Sequence, residues 1–335
     1  MATIYDIAKA VGVTQTTVAN ALAGKGNVSE ATRQRILKCV QELGYRPNEI
    51  ARSLAQGKTF TLALILPRIS TPFYPEMAEA VEHTAMQHDY QLLLCNTHDD
   101  AALGRRYLER LISRWVDGLI VMGASLPLDD IAAQIERGLP VVLCDWQENE
   151  SPDGIPHVSV DFHQAGVLAA QHLIALGHRQ LAVIVDEPMQ ILRYEGFGAI
   201  AQEAGIILPP DYVRQGYSTI ESGYTATKTL LTLSPRPTAI FATTDWMALG
   251  AMQAVLEVGL RVPGDISIVG LDDIMVSAHI SPALTTVAIP KEQLATAAME
   301  ILLSQIAGQN DASASVVIPP HLIVRQSTAP VSITG

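Results

Sequence analysis

The chain has 335 residues, 48% of them hydrophobic and 17% charged. That globular balance excludes a disordered chain and, at about 100–200 residues per domain, a single small module. The formal charge of −12 is unevenly placed: residues 1–60 hold eight lysines and arginines against four acidic residues, a net of +4, which leaves −16 for the remaining 275. A basic head on an acidic body suits a molecule of which only the head meets a polyanion, because its cations displace condensed counterions while the body repels phosphates.

In chain order, Ile4, Ile7, Ala8 and Val11 recur at helical spacing, Gly12 breaks the run, and Thr14 caps a second helix that turns Val18, Ala21 and Leu22 inward. Two helices crossing this closely need a small residue at the contact (Ala8), a turn residue (Gly12) and a branched apolar plug (Val18). A third helix follows from a Ser29 cap, with Arg33, Arg35 and Lys38 outward and Ile36, Val40 and Leu43 inward. With the basic balance, this helix-turn-helix points to double-stranded DNA. The phase of the second helix exposes Gln15, Thr16 and Asn20, whose amides and hydroxyl suit base edges in the major groove. Thr14, Thr17, Asn27 and Ser29 suit phosphates, which fix register without reading sequence. Between Pro47 and Gly57 lies a helix of about nine residues, marginal in isolation and able to order on DNA.

The segments Ile4-Tyr-Asp-Ile-Ala-Lys-Ala-Val-Gly-Val-Thr-Gln-Thr-Thr-Val18, Leu43-Gly-Tyr-Arg-Pro-Asn48 and Ala51-Arg-Ser-Leu-Ala55 resemble the lactose-repressor/galactose-repressor (LacI/GalR) family of bacterial transcription factors. The resemblance implies that residues 47–58 are a hinge helix paired across a homodimer in the minor groove. Asn48, Ala51 and Leu54 would then contact DNA, with Leu54 wedged into the central base step. Domains are accordingly expected at 1–46, 47–58 and 59–335.

Beyond Thr59, short β-rich runs at 61–67, 90–95, 118–122, 140–144, 180–185, 239–242 and 266–270 alternate with helical stretches such as 75–88 and 103–114. The expected fold is α/β: two doubly wound parallel-sheet lobes behind an all-α headpiece, with a ligand at the carboxyl ends of the strands. The resemblance continues through Thr71-Pro-Phe-Tyr-Pro75, Val116-Asp-Gly-Leu-Ile120, Leu176-Gly-His178 and Ile268-Val-Gly-Leu-Asp-Asp273. It implies a periplasmic-binding-protein-like body whose three crossings lie near 157–161, 285–290 and 318–325. Lobe one is then about 59–159 plus 291–318, and lobe two about 162–288 plus 322–330.

In the cleft, Phe73 and Tyr74 can supply a flat apolar wall, while Arg193 and Asp272, on loops of the opposite lobe, fork onto hydroxyls or ring heteroatoms; Asp145 follows a strand of the first lobe. The bland alternative places the aromatics in a core and the charged pair in a surface bridge. The resemblance favours the site and adds Ser218 and Thr244 at contact positions. Ile289 and Thr244 stand where sugar-responsive members carry glutamine and asparagine. Asp145-Trp146 with Phe73-Tyr74 resembles purine-responsive members, but Ser218 replaces their third aromatic. The expected effector is a sugar or sugar derivative, with a purine second.

Cys39, Cys95 and Cys144 form no CxxC pair, and the nine histidines fit no ligand spacing, so neither metal nor cofactor is expected. The apolar runs at 61–67 and 118–123 fall far short of the roughly 18 residues of a membrane helix, so no membrane partner is expected. With no basic and apolar leader at the amino terminus, the expected location is cytoplasmic. Two rival classes fit the sequence less well. For a nucleotide-binding enzyme, Gly196-Phe-Gly imitates a dinucleotide fingerprint but continues a helix, and Gly57-Lys-Thr59 imitates a P-loop end but has Arg52 at the first glycine position. For a periplasmic-type solute receptor, the DNA-binding head argues against it.

Overall fold

The computed structural model describes residues 2–22, 26, 28–45, 58–113, 116–123, 126–145, 154–186, 190–309 and 314–331. Asn27, Asn48, Ala51, Leu54 and Trp146 lie outside the described residues, and so does the expected hinge helix apart from Lys58. Contacts divide the chain into residues 1–59 and 60–335.

The amino-terminal unit has α1 (Ile4–Val11), α2 (Gln15–Leu22) and α3 (Glu30–Glu42). A reciprocal Thr3/Asp6 capping box starts α1, and Gly12, at φ +76°, stops it. The Thr14 hydroxyl accepts from the Thr17 amide at 3.1 Å, and Ser29 from the Thr32 amide at 3.3 Å. Ile7, Ala8, Val11, Val18, Ala21 and Ile36 form the core. Leu43, expected inward, and Arg33, expected outward and half-buried here, need correction, whereas Arg35 is exposed as expected. Leu43 is 43% exposed in this unit, because it stands at the carboxyl cap of α3 where the helical phase no longer holds it inward. Arg33 and Arg35 brace the unit: Arg35 donates to the Val11 carbonyl at 2.8 Å and Arg33 to that of Ala21 at 3.3 Å, satisfying helix-end acceptors.

In the second unit, β1 (Thr61–Leu66), β2 (Gln91–Asn96), β3 (Gly118–Met122), β4 (Val141–Cys144), β5 (His157–Val160) and β11 (Ser315–Ile318) make a sheet of order β11-β5-β4-β3-β1-β2. The strands β6 (Leu181–Val185), β7 (Val213–Gln215), β8 (Ala239–Ala242), β9 (Ser267–Asp272), β10 (Thr285–Ala288) and β12 (His321–Ile323) make the other, of order β12-β10-β9-β8-β6-β7. Each repeats the order second, first, third, fourth, fifth. All pairings are parallel except β10 with β12, and the central strands are buried on both faces, as the continuous apolar runs require. The chain passes between lobes after β5, after β10 and between β11 and β12, at the three predicted places. The β-rich runs read from the sequence do not include β7 or the crossing strands β5, β10, β11 and β12; β5 and β10 fall on the crossings that the resemblance implies.

The lobe-one helices α4 (Phe73–Gln87), α5 (Ala101–Ser113) and α6 (Leu128–Glu136) are joined by α11 (Lys291–Ile306), which packs on α4. The lobe-two helices are α7 (Phe162–Ala175), α8 (Ile191–Glu203), α9 (Ile220–Leu230) and α10 (Asp245–Glu257). Two pairs of glycines let the lobe-two helices touch backbone to backbone. A Cβ on Gly166 would meet the Arg193 carbonyl at 2.0 Å, and one on Gly196 the His163 carbonyl at 1.9 Å. Gly223 and Gly250 do the same for α9 and α10, at 2.1 and 2.0 Å. Gly196, the false fingerprint, therefore serves helix packing.

Candidate effector cleft

Strand carboxyl ends place nearly every side chain of the site. Arg68 follows β1, Asp99 follows β2, Asp145 follows β4, Asp186 follows β6, and Tyr217 and Ser218 follow β7. Thr244 follows β8, and Asp272 ends β9. They line a cleft of about 270 Å³ together with Thr71, Phe73, Tyr74, Gln190 and Arg193. All seven positions expected to hold an effector thus line one cavity, between the parallel sheets and at the switch points where strand order reverses. Arg193 and Asp272 are not on loops. Arg193 sits in the first turn of α8, which the Gly166–Gly196 contact presses onto α7, and Asp272 is the last residue of β9.

Asp145, Arg193 and Asp272 are 3%, 4% and 6% exposed. Arg193 Nη1 donates to the Thr243 carbonyl at 2.5 Å, and its Cζ lies 4.3 Å from the Phe162 ring centroid. Its Nε is buried without a partner, as is Asp145 Oδ1. Two unsatisfied polar atoms, one from each lobe, are costly in a folded interior unless something else fills their needs. Burial pushes the Asp145 carboxyl up to about 7 against the pull of Arg193. Asp272 is likewise raised well above its ordinary value by burial, with Arg193 opposing and Asp245 adding to the rise. Backbone strain marks the same places: Asp145, Ser218 and Asp272 have φ of +55°, +52° and +119°.

Phe73 is 5% exposed and belongs to the lobe-one core, whereas Tyr74 is half-buried and forms the wall of the cleft. Their rings meet edge to face at 5.5 Å. Ser218 donates to Asp186 Oδ2 at 2.9 Å and accepts from Gln190 Nε2 at 3.0 Å; Thr243 donates to Gln190 Oε1. Thr244 caps α10 through the Met247 amide at 3.2 Å. Next to it, Asp245 is fully buried, accepts from Ile274 N, Ser277 Oγ and Thr286 Oγ1, and is raised to about 6 by burial.

Lys291 braces the backbone of Asp272 from outside the cleft lining. Its ammonium donates to the carbonyls of Asp272 and Asp273, both at 2.8 Å, and pairs with Glu76 at 3.1 Å; the other Glu76 oxygen accepts from Met275 N at 2.8 Å. Among the lining residues, sequence reasoning missed Arg68, Thr71, Asp99, Asp186, Gln190 and Tyr217, and it missed Lys291 behind Asp272. The strand-end rule that located Asp145 would have found Arg68 and Asp186. Ile289 does not reach the cleft: it is 3% exposed and lines a second hollow, of about 600 Å³, between α4 and the start of α11. That hollow is larger but lacks converging unsatisfied groups.

In the headpiece, Thr14, Gln15 and Thr16 are exposed, while Thr17 is half-buried and shares a 2.8 Å hydrogen bond with Thr14. Asn20 departs from the expected exposure. It is half-buried, and its amide nitrogen would lie 3.1 Å from a Cβ on Gly26, so the turn partly covers it.

Residues 3–48 match the model of bacterial regulatory proteins of the lacI family, and residues 170–328 match a periplasmic binding protein-like domain. The HTH-type transcriptional repressor PurR of Erwinia tasmaniensis is 38% identical over 98% of this chain and 97% of its own. The chain belongs to the lacI family of bacterial regulatory proteins. PurR of Pasteurella multocida is 37% identical over 98% of each chain. Among solved structures, a lac repressor dimer bound to operator and the anti-inducer ONPF has a TM-score of 0.86 at 27% identity, covering 98% of this chain and 99% of that one. A complex of the transcriptional regulator CelR with cellobiose has a TM-score of 0.73 at 29% identity, covering 98% and 100%. These family members are transcriptional regulators, and the chain is a DNA-binding transcriptional repressor rather than an enzyme. No helix among the described residues is long and apolar enough to cross a membrane.

Proposed function

We propose that this repressor binds a palindromic operator as a homodimer and that a sugar or sugar derivative in the cleft sets its operator affinity. The observation that carries the effector site is the pair of unsatisfied buried atoms, Arg193 Nε and Asp145 Oδ1, brought from opposite lobes to one cavity. Hydroxyls meet both needs, since each accepts from a guanidinium and donates to a carboxylate. Phe73 and Tyr74 cover an apolar ring face, Asp272 takes a second hydroxyl, and Ser218 and Thr244 border the ligand. A purine is the second reading, favoured by identity to repressors named PurR along nearly the whole chain. Ser218 argues against it, because a small side chain tied to Asp186 and Gln190 offers no ring to stack on a base.

On DNA, Gln15, Thr16 and Asn20 read bases; Thr14, Thr17, Asn27 and Ser29 hold phosphates; and Asn48, Ala51 and Leu54 act in the minor groove. This division assigns 1–46 to the headpiece, 47–58 to the hinge and 59–335 to the body, and the operator places the protein in the cytoplasm. Ligand binding shifts operator affinity by its preference for one lobe arrangement, commonly 1–3 kcal/mol or about 5- to 150-fold. Footprinting on genomic fragments with a panel of sugars and purines tests this. The expected result is one ligand that changes operator affinity, with Arg193→Ala losing that response, about 2 kcal/mol or more of ligand affinity, and keeping operator binding. Unaltered calorimetric affinity in Arg193→Ala refutes the site.

A further inference from the structure

The cleft carries a charge imbalance that a plain sugar does not resolve. Arg68 and Asp99 neutralise each other in an ion pair, Arg68 Nε donating at 2.6 Å. Lys291 is committed to Glu76 and to the Asp272 and Asp273 carbonyls. Asp145, Asp186 and Asp272 then share Arg193 as the only remaining cation among the described lining residues. That guanidinium is held by a backbone carbonyl and an aromatic face, and no described carboxylate stands within ion-pair distance of it. Two of the three carboxylates are at least nine-tenths buried, and one of them has an oxygen with no partner.

From this arrangement, and resting on the sugar reading, we infer that the effector is an amino sugar whose protonated amine sits among Asp145, Asp186 and Asp272 while Arg193 takes a hydroxyl. A neutral hydroxyl supplies one donor and no charge. An ammonium supplies three donors and the missing positive charge, and charge-assisted hydrogen bonds are the stronger kind. An anionic sugar, such as a phosphosugar or sugar acid, meets three carboxylates and is repelled. Burial pushes the Asp145 carboxyl up to about 7, and a cation beside it favours the ionised form, so binding of the amine releases a proton.

The experiment is calorimetry and thermal shift on the full-length protein at about pH 6.5, below the ordinary α-amino value of about 7.7–8. Glucosamine, galactosamine and mannosamine are compared with their neutral parents, their N-acetyl derivatives, their 6-phosphates, and adenine, guanine and hypoxanthine. The expected result is one amine binding about tenfold or more tightly than its parent, a preference lost on N-acetylation. Its binding enthalpy should change with the buffer's ionisation enthalpy through proton release, and Asp145→Asn should shrink the preference for the amine. A neutral or phosphorylated sugar that binds as tightly as its amine overturns the inference and leaves the sugar reading standing. A response to purines alone removes the sugar reading itself, and no response to any of the three amines overturns the inference.

Discussion

Asp145 and Asp245 are carboxyls whose buried settings favour the protonated form, at about 7 and about 6 against an ordinary 3.8. A folded-state value raised above the unfolded one stabilises the fold fully below the unfolded value, and that contribution is lost as pH rises through the folded value. The ligand-free protein should therefore lose thermal stability between about pH 4 and pH 7, as the protons on Asp145 and Asp245 are released. Asp145→Asn, which keeps the shape and removes the titration, should flatten the upper part of that fall and raise the melting temperature near pH 7. A melting profile that rises across that window in the unmutated protein contradicts the assignment. Asp145 was recognisable beforehand because it follows an apolar run, whereas its missing partner and left-handed backbone belong to the packed cleft and have no local signature.

Elements set the angles at which these residues meet. The α7/α8 crossing depends on Gly166 and Gly196, where any Cβ overlaps a carbonyl of the opposing helix. Gly196→Ala should force the helices apart, costing about 1–3 kcal/mol and moving Arg193. Chemical denaturation would show the loss, and weaker effector binding should accompany it. Lys291, at the start of α11 in lobe one, holds the end of β9 in lobe two. Lys291→Met should leave two carbonyls and Glu76 short of a donor, costing about 1–3 kcal/mol, and reduce the effector's influence on operator affinity more than operator affinity itself. Equal loss of both in footprinting would rule out that link. Helix starts at Thr14 and Ser29 were readable from their capping residues, because a cap is a local hydrogen bond. The glycine contacts were not readable, because nothing near Gly196 in sequence indicates the helix lying across it.

For the whole molecule, a charge of +4 on residues 1–60 against −16 on the rest favours DNA contact through the head. Operator affinity should fall steeply with salt, by a logarithmic slope of about −0.9 per phosphate contacted. Leu54→Ala should lower specific operator affinity while sparing ligand binding, and unchanged affinity in a footprint titration would count against the wedge. The resemblance to the lacI family supplied the three crossings, Ser218 and Thr244, whereas residue order alone determined the helix-turn-helix, the two α/β lobes and Phe73, Tyr74, Asp145, Arg193 and Asp272 as cleft candidates. Residue order could do so because helical phase, caps and strand-end position are its local consequences. Tertiary structure alone decided that Arg68 is neutralised by Asp99, that Lys291 spans the lobes, and that Arg193 is left among three carboxylates. Those facts depend on distances between side chains brought from separate strands of two sheets, and local residue order does not specify such distances.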